Sequence, residues 1–143
     1  MPSSFPGAVP IYERLTPLAG LKILVVDDDP SFRPLVGAML KRLGAAEIKE
    51  AQTGQEGFVA ALGEWFDLVI CDWRLPGEKS GLDVLKALRA EKSNVPFLMM
   101  TGLVDPQSVL AAKQAGVSGY IAKPFSARDL EAKVRALVKP AAR

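Results

Sequence analysis

Residues 21–29 read LKILVVDDD, a short, largely apolar run that stops at three acids. A run of this length, β-branched and apolar on both sides, reads as a strand buried on both faces, as in parallel sheets covered by helices. The same unit recurs along the chain. A helix is expected from about Pro30 or Ser31, because Pro34 is tolerated only in a first turn. Its inner face is assigned to Leu35, Val36, Met39, Leu40 and Leu43, with Gly44 as the stop. A weak second strand is placed near 46–50, followed by a helix from Thr53 to Leu62 with Phe58, Val59 and Leu62 inward. The third strand is DLVIC (67–71), running into Asp72, the loop RLPGEKSG and a helix from about Ser80 with Leu82, Leu85 and Leu88. The fourth is PFLMM (96–100), ending at Thr101. Asp105-Pro106 then supplies a cap and a first-turn proline for a fourth helix, with Val109 and Leu110 inward and Gly116 as its end. The fifth strand is SGYIA (118–122), ending at Lys123. Ser126 and Asp129 form a capping box for a last helix carrying Leu130, Val134, Leu137 and Val138, stopped by Pro140.

Five strands alternating with five helices predict an α/β fold: a doubly wound, five-stranded parallel sheet, flavodoxin-like (βα)5, in the order 2-1-3-4-5. The chain divides into a Pro-rich leader (1–20), one domain (21–139) and a short tail (140–143). Ile11, Tyr12 and Leu15 of the leader are candidates for packing on the domain surface.

Composition removes many chemistries. The 143 residues contain no His, so there is no triad, no His base, no His metal ligand and no phosphohistidine on this chain. One Cys, Cys71, closes no disulfide within the chain and makes no zinc site. By strand alternation it faces away from Asp72, toward the core. Trp65 reads as packing. Eighteen basic against sixteen acidic residues is too even a balance to indicate nucleic acid. No apolar run is long enough for a membrane span and no export signal is visible, which predicts a cytoplasmic protein.

Four strands end in polar residues: Asp27 (with Asp28 and Asp29), Asp72, Thr101 and Lys123. In an open parallel sheet these ends share one edge, and strands 1 and 3 are neighbours at its switch point. Asp27, Asp28 and Asp72 are therefore expected to converge. Three carboxylates in one crevice need a cation, and hard oxygen donors suit Mg²⁺, or Mn²⁺ in its place. With a lysine and a hydroxyl opposite, the set reads as a phosphoryl site in which one carboxylate attacks. Each residue alone also fits a plainer role: acids solvate loops, Asp caps turns, Thr closes strands and Lys sits on surfaces. Their coincidence on one edge is what favours chemistry.

The motifs ILVVDDD (23–29), DLVICDWRLPG (67–77), FLMMTG (97–102) and GYIAKPF (119–125) resemble the receiver domain of two-component response regulators, like the single-domain chemotaxis regulator. The resemblance covers about residues 21–139. It implies that Asp72 accepts a phosphoryl group and that Asp28 and Asp72 bind Mg²⁺ directly. Asp27 would act mainly through a water, and the Arg74 backbone carbonyl would complete the protein ligands. Thr101 would bond the phosphoryl group and move toward it, while Lys123 pairs with a phosphoryl oxygen. Gly102 would leave the group accessible, and Tyr120 would change rotamer with Thr101. Lys123-Pro124 is expected to be cis. The donor would be a histidine kinase or a histidine phosphotransfer protein. The output would pass to a downstream protein, or to a second copy, through the helix 4–strand 5–helix 5 face, with no membrane or direct nucleic-acid partner. From Lys123 onward six basic and two acidic residues give a net charge of +4.

The stretch from Pro76 to Gly81 is one residue longer than usual in that family. Arg74 and Leu103 stand two residues after Asp72 and Thr101, and suggest slow loss of the phosphoryl group. Two other readings compete. Asp27-x-Asp29 resembles the nucleophile loop of haloacid-dehalogenase-type phosphatases, which would put the phosphoryl group on Asp27. A receiver-like docking module that is never phosphorylated is the other.

Overall fold

The computed structural model describes residues 18–102 and 105–138. The sequence readings that concern Ile11, Tyr12, Leu15, Leu103, Pro140 and the tail lie outside them. Five strands, β1 (Lys22–Val26), β2 (Glu47–Ala51), β3 (Leu68–Asp72), β4 (Phe97–Thr101) and β5 (Gly119–Ala122), alternate with α1 (Phe32–Arg42), α2 (Gly54–Gly63), α3 (Gly81–Ala90), α4 (Pro106–Gln114) and α5 (Ala127–Leu137). The strands form one all-parallel sheet in the order β2-β1-β3-β4-β5, as the alternation predicts.

Strand alternation sorts the core into two layers. Ile23, Val25, Leu68, Ile70, Leu98, Met100 and Ile121 face α1 and α5. Leu24, Val26, Val69, Cys71, Phe97 and Met99 face α2 and α3. Both faces of the three central strands are buried, which explains their uninterrupted apolar runs. Leu18, assigned from sequence to the leader, is buried in the first layer and its N–H bonds the Leu43 carbonyl at 2.8 Å. The packed domain therefore includes it.

The caps are where local chemistry puts them. Ser80 with Asp83 and Ser126 with Asp129 form capping boxes, and Asp105 accepts from the Ser108 N–H at 3.0 Å. The helix faces differ from expectation at several positions. Leu35, Val59, Leu62 and Leu110 are exposed, and so is Trp65. In α2 the inner stripe is Gly54, Gly57, Phe58 and Ala61, at helical spacing. Gly57 sits so close to the sheet that a Cβ would meet Val26 at 2.8 Å. The backbone itself fills the space that Val59 and Leu62 were expected to fill. In α4 the buried residue is Ala112, which turns Leu110 outward. In α1, Phe32 takes the inner position given to Leu35, in register with Val36 and Met39.

Candidate functional site

The buried polar or charged residues among those described are Asp27, Asp72 and Thr101, all at the carboxyl edge of the sheet. Asp27 follows β1, Asp72 ends the neighbouring β3, and Thr101 ends β4. Alternation from Val25, Ile70 and Ile121 sends Asp27, Asp72 and Lys123 toward the α1–α5 side. Asp28 is exposed at the rim. One carboxylate oxygen each from Asp27, Asp28 and Asp72 lie within 4.8 Å of one another.

The Lys123 ammonium donates to Asp27 Oδ2 at 3.0 Å and to Asp72 Oδ2 at 3.1 Å. Burial works to lower the Lys123 pKa, but the two carboxylates outweigh it and the net direction is up. The Asp72 pKa is also raised. Burial is the main cause, Lys123 opposes it, and the Asp27 charge adds to it. The physics is common to both: one ammonium is shared by two carboxylates, with a third beside them. The site keeps excess negative charge and favours a further cation. Its donors are hard oxygens, the set that suits Mg²⁺.

Asp27 and Asp72 are not equivalent. Asp27 is fully buried and its Oδ1 accepts from the Asp29 N–H at 2.8 Å. Asp72 opens to a cleft shared with Asp28, Arg74 and Lys123. Asp29 turns away: its Oδ1 accepts from the Ser31 and Phe32 N–H groups at 2.8 and 3.3 Å, which holds its carboxyl below the usual carboxylate range. It starts α1 and does not join the acidic cluster.

Gly81 fixes the far wall. A Cβ there would collide with the Asp72 carbonyl, so the loop after Pro76 can close over β3 only with glycine at this point. Arg74 is exposed, and its N–H reaches Asp72 Oδ1 at 3.4 Å. Gly102 lines the cleft with Thr101 and Lys123, and a Cβ on it would meet nothing within 4 Å. The Lys123–Pro124 peptide is cis.

The residues match the response regulator receiver domain family over residues 23–135. This chain is a receiver. It is 36% identical over 116 residues to the chemotaxis protein CheY of Pseudomonas aeruginosa, covering 80% of this chain and 93% of that one. The structure of CheY4 from Vibrio cholerae superposes with a TM-score of 0.78 at 30% identity, covering 84% of the receiver and 100% of CheY4. The receiver domain of a Pseudomonas aeruginosa sensor histidine kinase, solved with a magnesium ion coordinated in its active site cleft, gives a TM-score of 0.72 at 29% identity, covering 80% and 93%. The receiver is thus a two-component signalling module of chemotaxis-regulator type, with the expected sheet order.

Thr101 and Tyr120 belong to the opposite layer, toward α3 and α4. The Tyr120 ring meets Trp73 edge-on at 6.5 Å. Its hydroxyl is buried without a well-formed hydrogen bond among the described residues. Burial raises its pKa, and nearby Thr101 opposes this only in part. Sequence reasoning missed two residues around the site. Arg33 donates to the Asp27 carbonyl at 2.8 Å and to Glu50 at 2.7 Å. Phe32 lies against Lys123, its ring centroid 4.4 Å from Nζ. The available signal was the 32/36/39/43 spacing, which places Phe32 inward.

No helix among the described residues is long and apolar enough to cross a membrane.

Proposed function

We propose that the receiver takes a phosphoryl group from the phosphohistidine of a partner histidine kinase or histidine phosphotransfer protein onto Asp72. An Asp72 carboxylate oxygen attacks phosphorus, the P–N bond breaks, and its electron pair leaves with the imidazole. The observation that supports Asp72 over Asp27 is access: Asp72 faces the cleft, whereas Asp27 is buried and its oxygens are held by Asp29 and Lys123. The same observation counts against a dehalogenase-type nucleophile at Asp27, as does Asp29 being committed to α1. An unphosphorylated docking module would have no need of converged acids and lysine.

Asp28, Asp72 and the Arg74 carbonyl would hold Mg²⁺ or Mn²⁺, with Asp27 acting through a water. The ion would neutralise phosphoryl oxygens beside the acids. The magnesium in the related sensor-kinase receiver supports this choice. Lys123 pairs with a phosphoryl oxygen, Thr101 donates to another, and Gly102 leaves room for entry. Thr101 moving toward the phosphoryl group frees Tyr120 to turn, which biases two states of the α4–β5–α5 face. Of its helices, α4 carries exposed Leu110 and α5 the exposed basic residues Arg128, Lys133 and Arg135, and the face fits a downstream protein with acidic character or a second copy. The receiver works in the cytoplasm as a signalling module that turns over no substrate beyond its own phosphoryl group.

The test uses Trp73, which adjoins Asp72. Mg²⁺ followed by acetyl phosphate or beryllofluoride should change its fluorescence. An unchanged signal, or the same response in Asp72→Ala, would overturn the assignment. Arg74 lies beside the acceptor, and Arg74→Asn should shorten the life of the phosphorylated form several-fold by decay assay; an unchanged decay removes Arg74 as the cause of slow loss.

A further inference from the structure

The geometry points to Phe32 as a positioning residue that holds the Lys123 ammonium in front of Asp72 through its aromatic face. Lys123 donates two of its three N–H bonds to Asp27 and Asp72. The Phe32 ring flanks the same ammonium, 4.4 Å from Nζ to the centroid. An ammonium at this distance is attracted by the negative face of the ring, the more so where water is excluded. The ring is itself fixed from two sides. Phe125, two residues beyond Lys123, meets it edge-on at 5.6 Å. Asp29 accepts from the Phe32 N–H and anchors the start of α1. The third acid of the DDD run therefore reaches the site indirectly, through the helix start and the ring.

The consequence concerns a flexible side chain. Lysine has a four-carbon stem and loses much rotamer freedom when its head is held. The two carboxylates attract the head, and the ring closes a direction that the stem could otherwise take toward solvent. When Asp72 becomes an acyl phosphate, its pairing with Lys123 changes. The Phe32 contact can remain, together with the hydrogen bond to Asp27, keeping the ammonium within reach of the incoming phosphoryl oxygen.

This inference rests on the reading of Asp72 as acceptor, so the experiment has one arm that does not. In the free protein, the Lys123 ε-methylene protons should show an upfield ring-current shift by NMR. The shift should vanish in Phe32→Leu and persist in Phe32→Tyr. In the second arm, beryllofluoride affinity in Mg²⁺ is read from Trp73 fluorescence. Phe32→Leu and Phe32→Met, which keep apolar bulk but lose the ring, should weaken binding roughly threefold to tenfold. Phe32→Tyr should bind within twofold of the native chain. No ring-current shift in the native chain overturns the proposal outright, as does full affinity in the Leu and Met variants. Equal weakening in Tyr, Leu and Met assigns Phe32 to packing alone and also overturns it. Should the native chain show the NMR shift but ignore beryllofluoride, the acceptor reading has failed and the lysine contact stands.

Discussion

The receiver contains the same set of groups twice, at opposite edges of its sheet. At the carboxyl edge Lys123 meets Asp27 and Asp72 at 3.0 and 3.1 Å beside the Phe32 ring. At the amino edge Lys22 meets Glu64 and Glu47 at 3.0 and 3.8 Å beside the Phe66 ring. What differs is solvent and reach. The acids at the first site are 0% and 12% exposed, and those at the second are 34% and 60% exposed. Short aspartates at strand ends cannot move apart, whereas long glutamates after α2 and at the start of β2 can. Buried like charges accumulate a demand for a cation or a phosphoryl-bound metal. Exposed ones are hydrated and screened, and contribute little. A lysine, two acids and a ring therefore do not define a site; desolvation at the switch point of the sheet does.

The comparison is tested most severely by removing one carboxylate from each cluster. Asp72→Asn should abolish labelling by a phosphohistidine donor while leaving the fold intact or slightly more stable, because one of two competing anions is gone. Glu64→Gln should label normally. Loss of labelling in both would mean that the chemistry is not confined to the buried edge. Removing the lysines should give the next largest difference. Lys123→Met leaves two acids without their cation, at a cost of about 2 kcal/mol, below that of a fully buried pair because Lys123 is partly open to water. Urea denaturation should show this, and added Mg²⁺ should restore part of it. Lys22→Met should change the urea midpoint little, and Mg²⁺ should raise it by the same amount as in the native chain.

The carboxyl-edge cluster was legible in the sequence because its signals are local. Apolar runs ending at Asp27, Asp72, Thr101 and Lys123 give both the strands and the residues that project from their ends. Ser80, Asp105 and Ser126 mark helix starts by their own hydrogen bonds. The amino-edge cluster was not legible, since its members come from a strand start, an edge strand and a helix end, which nothing but the fold brings together. The inner faces of α2 and α4 were misread for another reason. Apart from Phe58, which the sequence placed inward correctly, their contact residues are Gly54, Gly57, Ala61 and Ala112, and close backbone approach leaves no continuous bulky apolar stripe to detect. Phe32 was passed over because Leu35 offered an equally apolar alternative one side chain further round α1. Trp65 shows the limit of residue type as a guide, since a tryptophan read as packing is 78% exposed.

The smallest expected effect isolates solvent as the variable. Hydrogen bonds from Lys22, and then from Lys49, hold the Glu64 carboxyl below its usual range. Its stabilisation is therefore present above the ordinary value of about 4.3 and is lost as pH falls through the lowered native value. Glu64 in turn raises the Lys22 pKa. That contribution is present below about 10.4 and disappears as pH rises through the raised value. Between about pH 5 and 10 the difference in Tm between the native chain and Glu64→Gln should be small and flat. It should fall away as pH drops below the ordinary carboxylate value and through the lowered native one, and at neutral pH it should shrink in 1 M salt, where screening acts within about 3 Å. A difference that neither acid nor salt diminishes would place the amino-edge cluster with the buried one. Exposure would then no longer explain why only one of the two lysine–acid sets is proposed to carry phosphoryl chemistry.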